Sequence, residues 1–321
     1  CLLSRGLGDV YKRQVMKKTV KTEFSEYKNS RMRRAEAKNG ILFVLPWIIG
    51  FLGFTLYPIL SSLYYSFCDY SVIKEPVFTG VKNYVTLFHD QTFIKACKNT
   101  AYMMLIGVPV TTFFAVAVSV ILNSKKLRHT GWMRVVFFIP TLVPTVVACL
   151  LWIWVMQPET GVVNTLLGYI GIKGPGWLAS PTWAKPAFIM MMIWTCGNAI
   201  IIYLAGLQDI SETLYEAAEI DGASFFRETI SITLPLLKPT ILYNMVTLVI
   251  GVFQWFAEPY IMTQGGPNNA TMFYSLYLYQ NAFTYFKMGY ASAQAWIMLV
   301  VAFAIILILF KFLKFGESNN S

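Results

Sequence analysis

The chain has 321 residues, 56% of them hydrophobic and 13% charged, with a formal net charge of +10. Soluble domains average about 25% charged residues, so this composition excludes an ordinary soluble fold and points to a polytopic membrane protein. The positive charge lies near the N-terminus and in short segments between apolar runs, not along one stripe, which argues against a nucleic-acid partner and marks segments facing the cytoplasm.

In chain order, "CLLSRGLGDVYKRQV" (1–15) lacks an initiating Met and differs in character from the rest of the chain. It is expected to be a non-native scar, with Met16 as the natural start, and is set aside from fold reasoning. Residues 16–40 read as a basic cytoplasmic segment whose "MRRAEAKNG" (32–40) is an orientation signal beside anionic membrane lipid. Six stretches then reach the roughly 20 mostly apolar residues that a spanning helix needs. They are 41–66, 100–122, 133–156, 186–206, 236–257 and 291–315. The first holds Pro46 and Pro58 and the third Pro140 and Pro144, which predicts kinked spans.

Lys and Arg concentrate in the segments that share a side with the N-terminus. Both termini are therefore expected in the cytoplasm, with 316–321 as a short tail and outer loops at 67–99, 157–185 and 258–290. The expected fold is all-α, about six transmembrane helices over 41–315. The five cysteines show no CxxC spacing, and the two histidines, His89 and His129, are far apart. No disulfide framework, metal site or His-based catalytic centre is expected.

The segment 207–235, between spans four and five, is polar and falls in the cytoplasm on this reading. Asp209 and Glu212 have capping-box spacing, which predicts a helix start there. Leu214, Ala217 and Ala218 share one face of it. Gly222 is the natural stop. Ser224 is placed to cap a second helix, which Pro235 and Pro239 would end or bend before span five. The alanines leave a shallow face that another protein's surface can approach closely.

The residues Glu216-Ala217-Ala218, Gly222, and Ile232-x-Leu234-Pro235 at this spacing resemble the EAA loop of binding-protein-dependent ABC importer permeases. Seven fixed positions match by chance on the order of 10⁻⁸ per start at average residue frequencies. "FFIPTLVPTVVA" (137–148) and 258–296 resemble the carbohydrate-uptake branch, in particular the first permease of maltose-type transporters, and the similarity runs from about 40 to 315. The resemblance implies that Glu216, Ala217, Ala218, Gly222, Ile232, Leu234 and Pro235 form a coupling helix and its base, seated on a separate ATPase. It also implies a second permease subunit, two ATPase subunits, an external solute-binding protein and a prokaryotic plasma membrane. ATP and Mg would sit on the partner ATPase, with no cofactor on this chain. The absence of any G-x-x-x-x-G-K-[ST] run agrees with a transport subunit that is not itself an enzyme.

Two span faces are candidates for the solute path. Asn244, Leu248, Gly251, Trp255 and Glu258 are spaced to line one side of span five. Trp194 and Asn198 lie one turn apart in span four, with Thr195 beside them. Amides and aromatic rings suit sugar hydroxyls and C–H faces. Equally, Gly251 allows close helix packing, Asn198 and Asn244 suit interhelical hydrogen bonds, and Trp255 and Glu258 suit the membrane interface, with Glu258 facing water. The turn-rich "TQGGPNNA" after span five either touches the external binding protein or is a plain loop. The expected function is thus the permease of an ATP-driven sugar importer. Its alternatives are an ABC permease for a glycerophosphodiester or polyamine, and an ion-coupled secondary transporter. The latter would want carboxylates or His near the bilayer centre, where the spans carry none.

Overall fold

The structure, a computed structural model, describes residues 31–124 and 130–317, with side chains over 36–124 and 130–311. The expected scar, residues 16–30 of the basic segment, residues 125–129 between spans two and three, and residues 318–321 of the tail lie outside the described residues. The chain divides into two compact units, Cys1–Ser62 and Leu63–Ser321.

Helix α1 (Arg31–Gly50) runs through a π-helical turn (Phe51–Leu56) into α2 (Tyr57–Ser66), within which the first unit ends at Ser62. The apolar part, Glu36–Ser66, is 31 residues long. At 1.5 Å per residue that is about 46 Å, enough for a hydrocarbon core of about 30 Å. Ile41, Leu42, Phe43, Val44 and Leu45, five consecutive residues that go all round the helix, are all exposed, as are Trp47 and Phe54. A helix apolar all round suits lipid, not a water-facing surface. Pro46 sits inside α1 without ending it.

The second unit opens with an antiparallel hairpin, β1 (Cys68–Ser71) and β2 (Lys74–Phe78), then α3 (Lys82–His89). The segment read as an outer loop is therefore folded. Helix α4 (Gln91–Tyr102) starts where the Asp90 carboxylate accepts from the N–H groups of Thr92 at 2.8 Å and Phe93 at 3.3 Å. That cap moves the start of span two ahead of the predicted 100. After a π turn (Met103–Gly107), α5 (Val108–Asn123) completes a 33-residue span, Gln91–Asn123.

The third predicted span is not one kinked helix. α6 (Thr130–Phe138) leads through a 3₁₀ turn (Ile139–Leu142) to α7 (Thr145–Val155), and the two are bent by 102°. Pro140 and Pro144 supply no N–H, and Val143, the residue before Pro144, is extended (φ −74°, ψ 123°), as pre-proline sterics dictate. After α8 (Val162–Tyr169), span four is α9 (Ala184–Trp194) and α10 (Gly197–Gln208), bent by 48° across Thr195 and Cys196. α11 (Glu212–Ile220) and α12 (Phe225–Glu228) follow, then a π turn (Thr229–Thr233) and α13 (Leu234–Phe253). Phe225–Phe253 is one continuous helix of 29 residues, so Pro235 and Pro239 do not end the second helix. Pro235 follows directly on the π turn, a local widening of the kind that lets a spanning helix accommodate a residue without an N–H. α14 (Ala257–Met262), α15 (Tyr274–Tyr279), a further π turn (Gln280–Thr284) and α16 (Met288–Glu317) complete the chain.

Four long spans, or six when each bent pair counts as one, are thus present among the described residues. Met103, Phe188, Phe253 and Phe273 centre one buried cluster of this unit, and Ala115, Tyr203, Leu204 and Leu237 another. Between spans such packing works by van der Waals fit, since lipid is as apolar as leucine. A third cluster, Leu87, Phe93, Met272 and Leu276, lies under the folded loops. There Asn99 donates to the carbonyls of Asn269 (2.8 Å) and Met272 (3.0 Å), and the Lys95 ammonium donates to that of Asn268. These bonds hold the "TQGGPNNA" loop, in which Gln264, Asn268 and Asn269 have positive φ.

Candidate functional site

The polar segment folds as a closed elbow. The predicted capping box fails: Asp209 ends α10, and Ser211 is the N-cap of α11, its hydroxyl 2.8 Å from that of Thr213. The predicted stop holds. Gly222 has φ +72°; its N–H bonds to the Glu219 carbonyl at 3.0 Å, and that of Ala223 to the Ala218 carbonyl at 2.9 Å. This is the Schellman closure, whose left-handed residue is glycine because it has no Cβ to clash. Ser224 is the N-cap of α12, without a side-chain hydrogen bond.

Glu216, Ala217 and Gly222 are exposed, and Ala218, Ile232 and Leu234 are half-buried. Two features of the elbow escaped the sequence. Ile220 and Phe226 are 87% and 76% exposed on either side of the turn, an apolar tip on a polar element. Tyr215 and Thr233 place their hydroxyls 3.0 Å apart, and Thr233 is buried. The elbow is thereby tied to the base of span five.

A cavity of about 210 Å³ opens where both bent pairs break. Thr141 and Thr145 line it from the first break, Thr195 and Asn198 from the second, and Trp255 and Glu258 from the end of span five. The first turns of α7 and α10 both reach it, and neither helix has a side-chain cap. The N–H groups of a helix's first turn carry partial positive charge. Against them the cavity sets one carboxylate, Glu258. Trp255 is braced edge-on by Phe188 at 5.3 Å and tilted on Phe273 at 5.4 Å. The Thr195 hydroxyl donates to the Met191 carbonyl at 3.1 Å, which leaves its lone pairs open.

The predicted path residues divide here. Thr195, Asn198 and Trp255 come together. Trp194 does not line the cavity; it packs edge-on to Trp152 at 5.9 Å. Asn244 is buried and its amide donates to the Thr240 carbonyl one turn back at 3.1 Å. Gly251 has open space where a Cβ would stand and borders neither the cavity nor a packed helix. The single helical face drawn through Asn244, Gly251, Trp255 and Glu258 fails because α13 ends at Phe253. Trp255 lies in the irregular link to α14, and that break turns Glu258 into the cavity. A 4-3-4-3 spacing carries no signal for such a break.

A second, larger cavity of about 470 Å³ lies among the folded loops, bordered by Tyr70, Asn83, Asp90 and Asn281. Asp90 accepts from the hydroxyls of Tyr290, at 2.6 Å, and Tyr277, besides capping α4. Burial alone would raise its pKa. The bonds from Tyr277, Tyr290, Thr92 and Phe93 outweigh burial and hold the carboxyl below the usual carboxylate range. Burial first, and Asp90 second, push Tyr277 up to about 12. Among the described residues no cluster of three His, Cys, Asp or Glu side chains is placed to hold a metal ion.

Residues 100–315 match the family described as "Binding-protein-dependent transport system inner membrane component". The chain is 39% identical over 289 residues to "Probable ABC transporter permease protein YesP" of Bacillus subtilis (strain 168), covering 88% of this chain and 93% of that one. It is 37% identical to "Lactose transport system permease protein LacF" of Rhizobium radiobacter, covering 85% and 93%. Among solved structures, a chain of a bacterial alginate ABC transporter, in complex with its alginate pentasaccharide-bound periplasmic protein, superposes with a TM-score of 0.74. It is 27% identical over 87% of this chain and 96% of that one.

Proposed function

Because the chain belongs to the binding-protein-dependent transport system inner membrane components, we propose that it is the permease subunit of an ATP-driven carbohydrate importer. Relatives named for lactose and alginate favour sugar over a phosphodiester or polyamine. Family membership sets aside the ion-coupled alternative. A second permease completes the path, two ATPase subunits dock beneath, and an external binding protein delivers the solute. ATP and Mg belong to the ATPases. Both termini lie in the cytoplasm, as the distribution of Lys and Arg favours.

The observation that carries this reading is the elbow, exposed at its tip and tied at its base. Glu216, Ala217, Ala218 and Gly222 make the ATPase contact; Ile232, Leu234 and Pro235 form the base that receives the push. A ligand shifts a two-state equilibrium only by its differential affinity for the states. ATP supplies that difference on the ATPases, and the Tyr215–Thr233 contact passes it to span five. The sugar occupies the cavity between the broken helices, with Trp255 against its C–H face and Asn198, Thr195 and Glu258 to its hydroxyls. Helix breaks at the midplane are a recurrent way to bring backbone polarity to a transported solute.

The test is a crosslink. A single Cys at Ala218 in an otherwise Cys-free chain is co-expressed with the candidate ATPase, itself carrying Cys at its docking cleft. Bridging that changes with ATP supports the coupling role. Absence of bridging with every ATPase of the host, in a folded chain, removes it.

A further inference from the structure

The larger cavity lies at the far end of the molecule's second unit from the elbow. Span two, Gln91–Asn123, has Asp90 at one end, while Leu122 at the other packs with Leu207 and Leu237 near the elbow. At 1.5 Å per residue its 33 residues place about 50 Å between them.

The cavity's walls are built and its rim is unspent. Asp90 at its border is satisfied by four donors. The Asn83 amide donates to the carbonyls of Ser66 at 2.9 Å and Cys68 at 2.8 Å, and its oxygen accepts no hydrogen bond among the described residues. Tyr70 is fixed by stacking on Tyr65 at 4.5 Å. The Lys287 N–H bonds to the Asn281 carbonyl at 2.8 Å, which sets the start of α16. Where α16 meets β1, a Cβ on Gly289 would stand 2.1 Å from the Cys68 carbonyl oxygen, so the two walls touch backbone to backbone. By contrast, the ammonium groups of Lys82 and Lys287 and the carboxylate of Asp69, all exposed and all bordering the cavity, form no ion pair or hydrogen bond among the described residues.

We propose that this cavity is a saccharide-binding site on the outer face of the permease, separate from the cavity between the broken helices. The inference rests on the importer reading. Two lysines and two aspartates give the lining no formal net charge, which disfavours an ionic ligand. Its free groups include both donors, Lys82 and Lys287, and acceptors, Asp69 and Asn83. A polyol needs both at once. Tyr70, Tyr277 and Tyr290 add rings for the C–H faces of a sugar. A pre-formed cavity with a few convergent polar groups is the usual form of a small-ligand site. It would hold sugar next to the entrance before the path opens.

The test uses the full chain in lipid nanodiscs with lactose, trehalose and maltotriose as probes, and saturation-transfer NMR as readout. The expected result is sugar binding that survives Trp255→Ala and weakens at least tenfold in Tyr70→Ala and in the exposed-site variant Lys287→Met. Binding lost in Trp255→Ala and unchanged in the other two overturns the outer site and leaves the importer reading intact. No binding of any probe also overturns it, while the Ala218 crosslink still reports on the importer reading independently. A poly-glutamate peptide that binds in place of sugar, and is lost in Lys82→Met, makes the cavity a protein socket and overturns the saccharide assignment.

Discussion

The hydroxyls of Tyr215 and Thr233 stand 3.0 Å apart, joining the exposed elbow to the buried base of span five. A hydrogen bond of this kind contributes about 0.5–1.5 kcal/mol. The chain therefore survives its loss, while the path from elbow to span is slackened. Tyr215→Phe should leave membrane levels unchanged and lower sugar uptake several-fold. Thr233→Val should do the same, and the double variant should be no worse than either, because both remove one contact. Additive losses in uptake would show that the two side chains act separately.

Gly222 closes the elbow at φ +72°. Its Cβ position is open, so the penalty for substitution is conformational, about 1–2 kcal/mol for most residues. Gly222→Val should open the turn to proteolysis between Ile220 and Phe225 and reduce crosslinking at Ala218. Gly222→Asn, which tolerates the left-handed region, should retain most of both. Equal damage from Val and Asn would point to a contact with the glycine surface instead.

In the inner cavity, Trp255→Ala and Glu258→Gln should raise the KM for sugar uptake by about tenfold, the order expected for about 1.4 kcal/mol of lost contact. Asn244→Ala and Gly251→Ala, whose positions do not border the cavity, should leave KM within about twofold. Uptake kinetics in proteoliposomes decide between the two sets.

Asp90 is held below the usual carboxylate range by four donors. A carboxyl depressed in the fold stabilises it fully above its unfolded pKa, near about 3.9, and loses that contribution as pH falls through the folded value. Acidification below about pH 4 should loosen the segments that Asp90 ties together, α4, α15 and the start of α16. Hydrogen exchange over 272–294 should rise in that window in the parent chain. In Asp90→Asn it should be raised already at neutral pH and respond less to acid.

The long apolar helices were legible in the sequence, because apolar runs are read one residue at a time. The Gly222 stop was legible for the same reason. The failures share a cause: they depend on where backbone hydrogen bonding is interrupted. Asp209 and Glu212 have capping-box spacing, yet α10 runs on to Gln208 and consumes the first of them. Pro140 and Pro144 announced a kink, and only tertiary packing turns it into a bend of 102°. Trp255 and Glu258 share a helical face only if span five runs past Phe253, where α13 ends, so spacing alone does not bring Glu258 to the cavity it lines. The Asp90 cluster joins residues some 200 positions apart, and no local pattern encodes that.

The two uncapped helix starts at the inner cavity have a consequence for how specificity can drift. Their N–H groups are part of the main chain, and no substitution other than proline can erase them. With the sugar seated in the inner cavity as proposed, a side-chain scan would under-count what binds it, and its losses would not sum to the whole. Mutation can retune which hydroxyls are favoured through Asn198, Trp255 or Glu258. On that proposal, the part of the affinity for an oxygen-rich guest that the backbone supplies would be inherited by every variant that still folds.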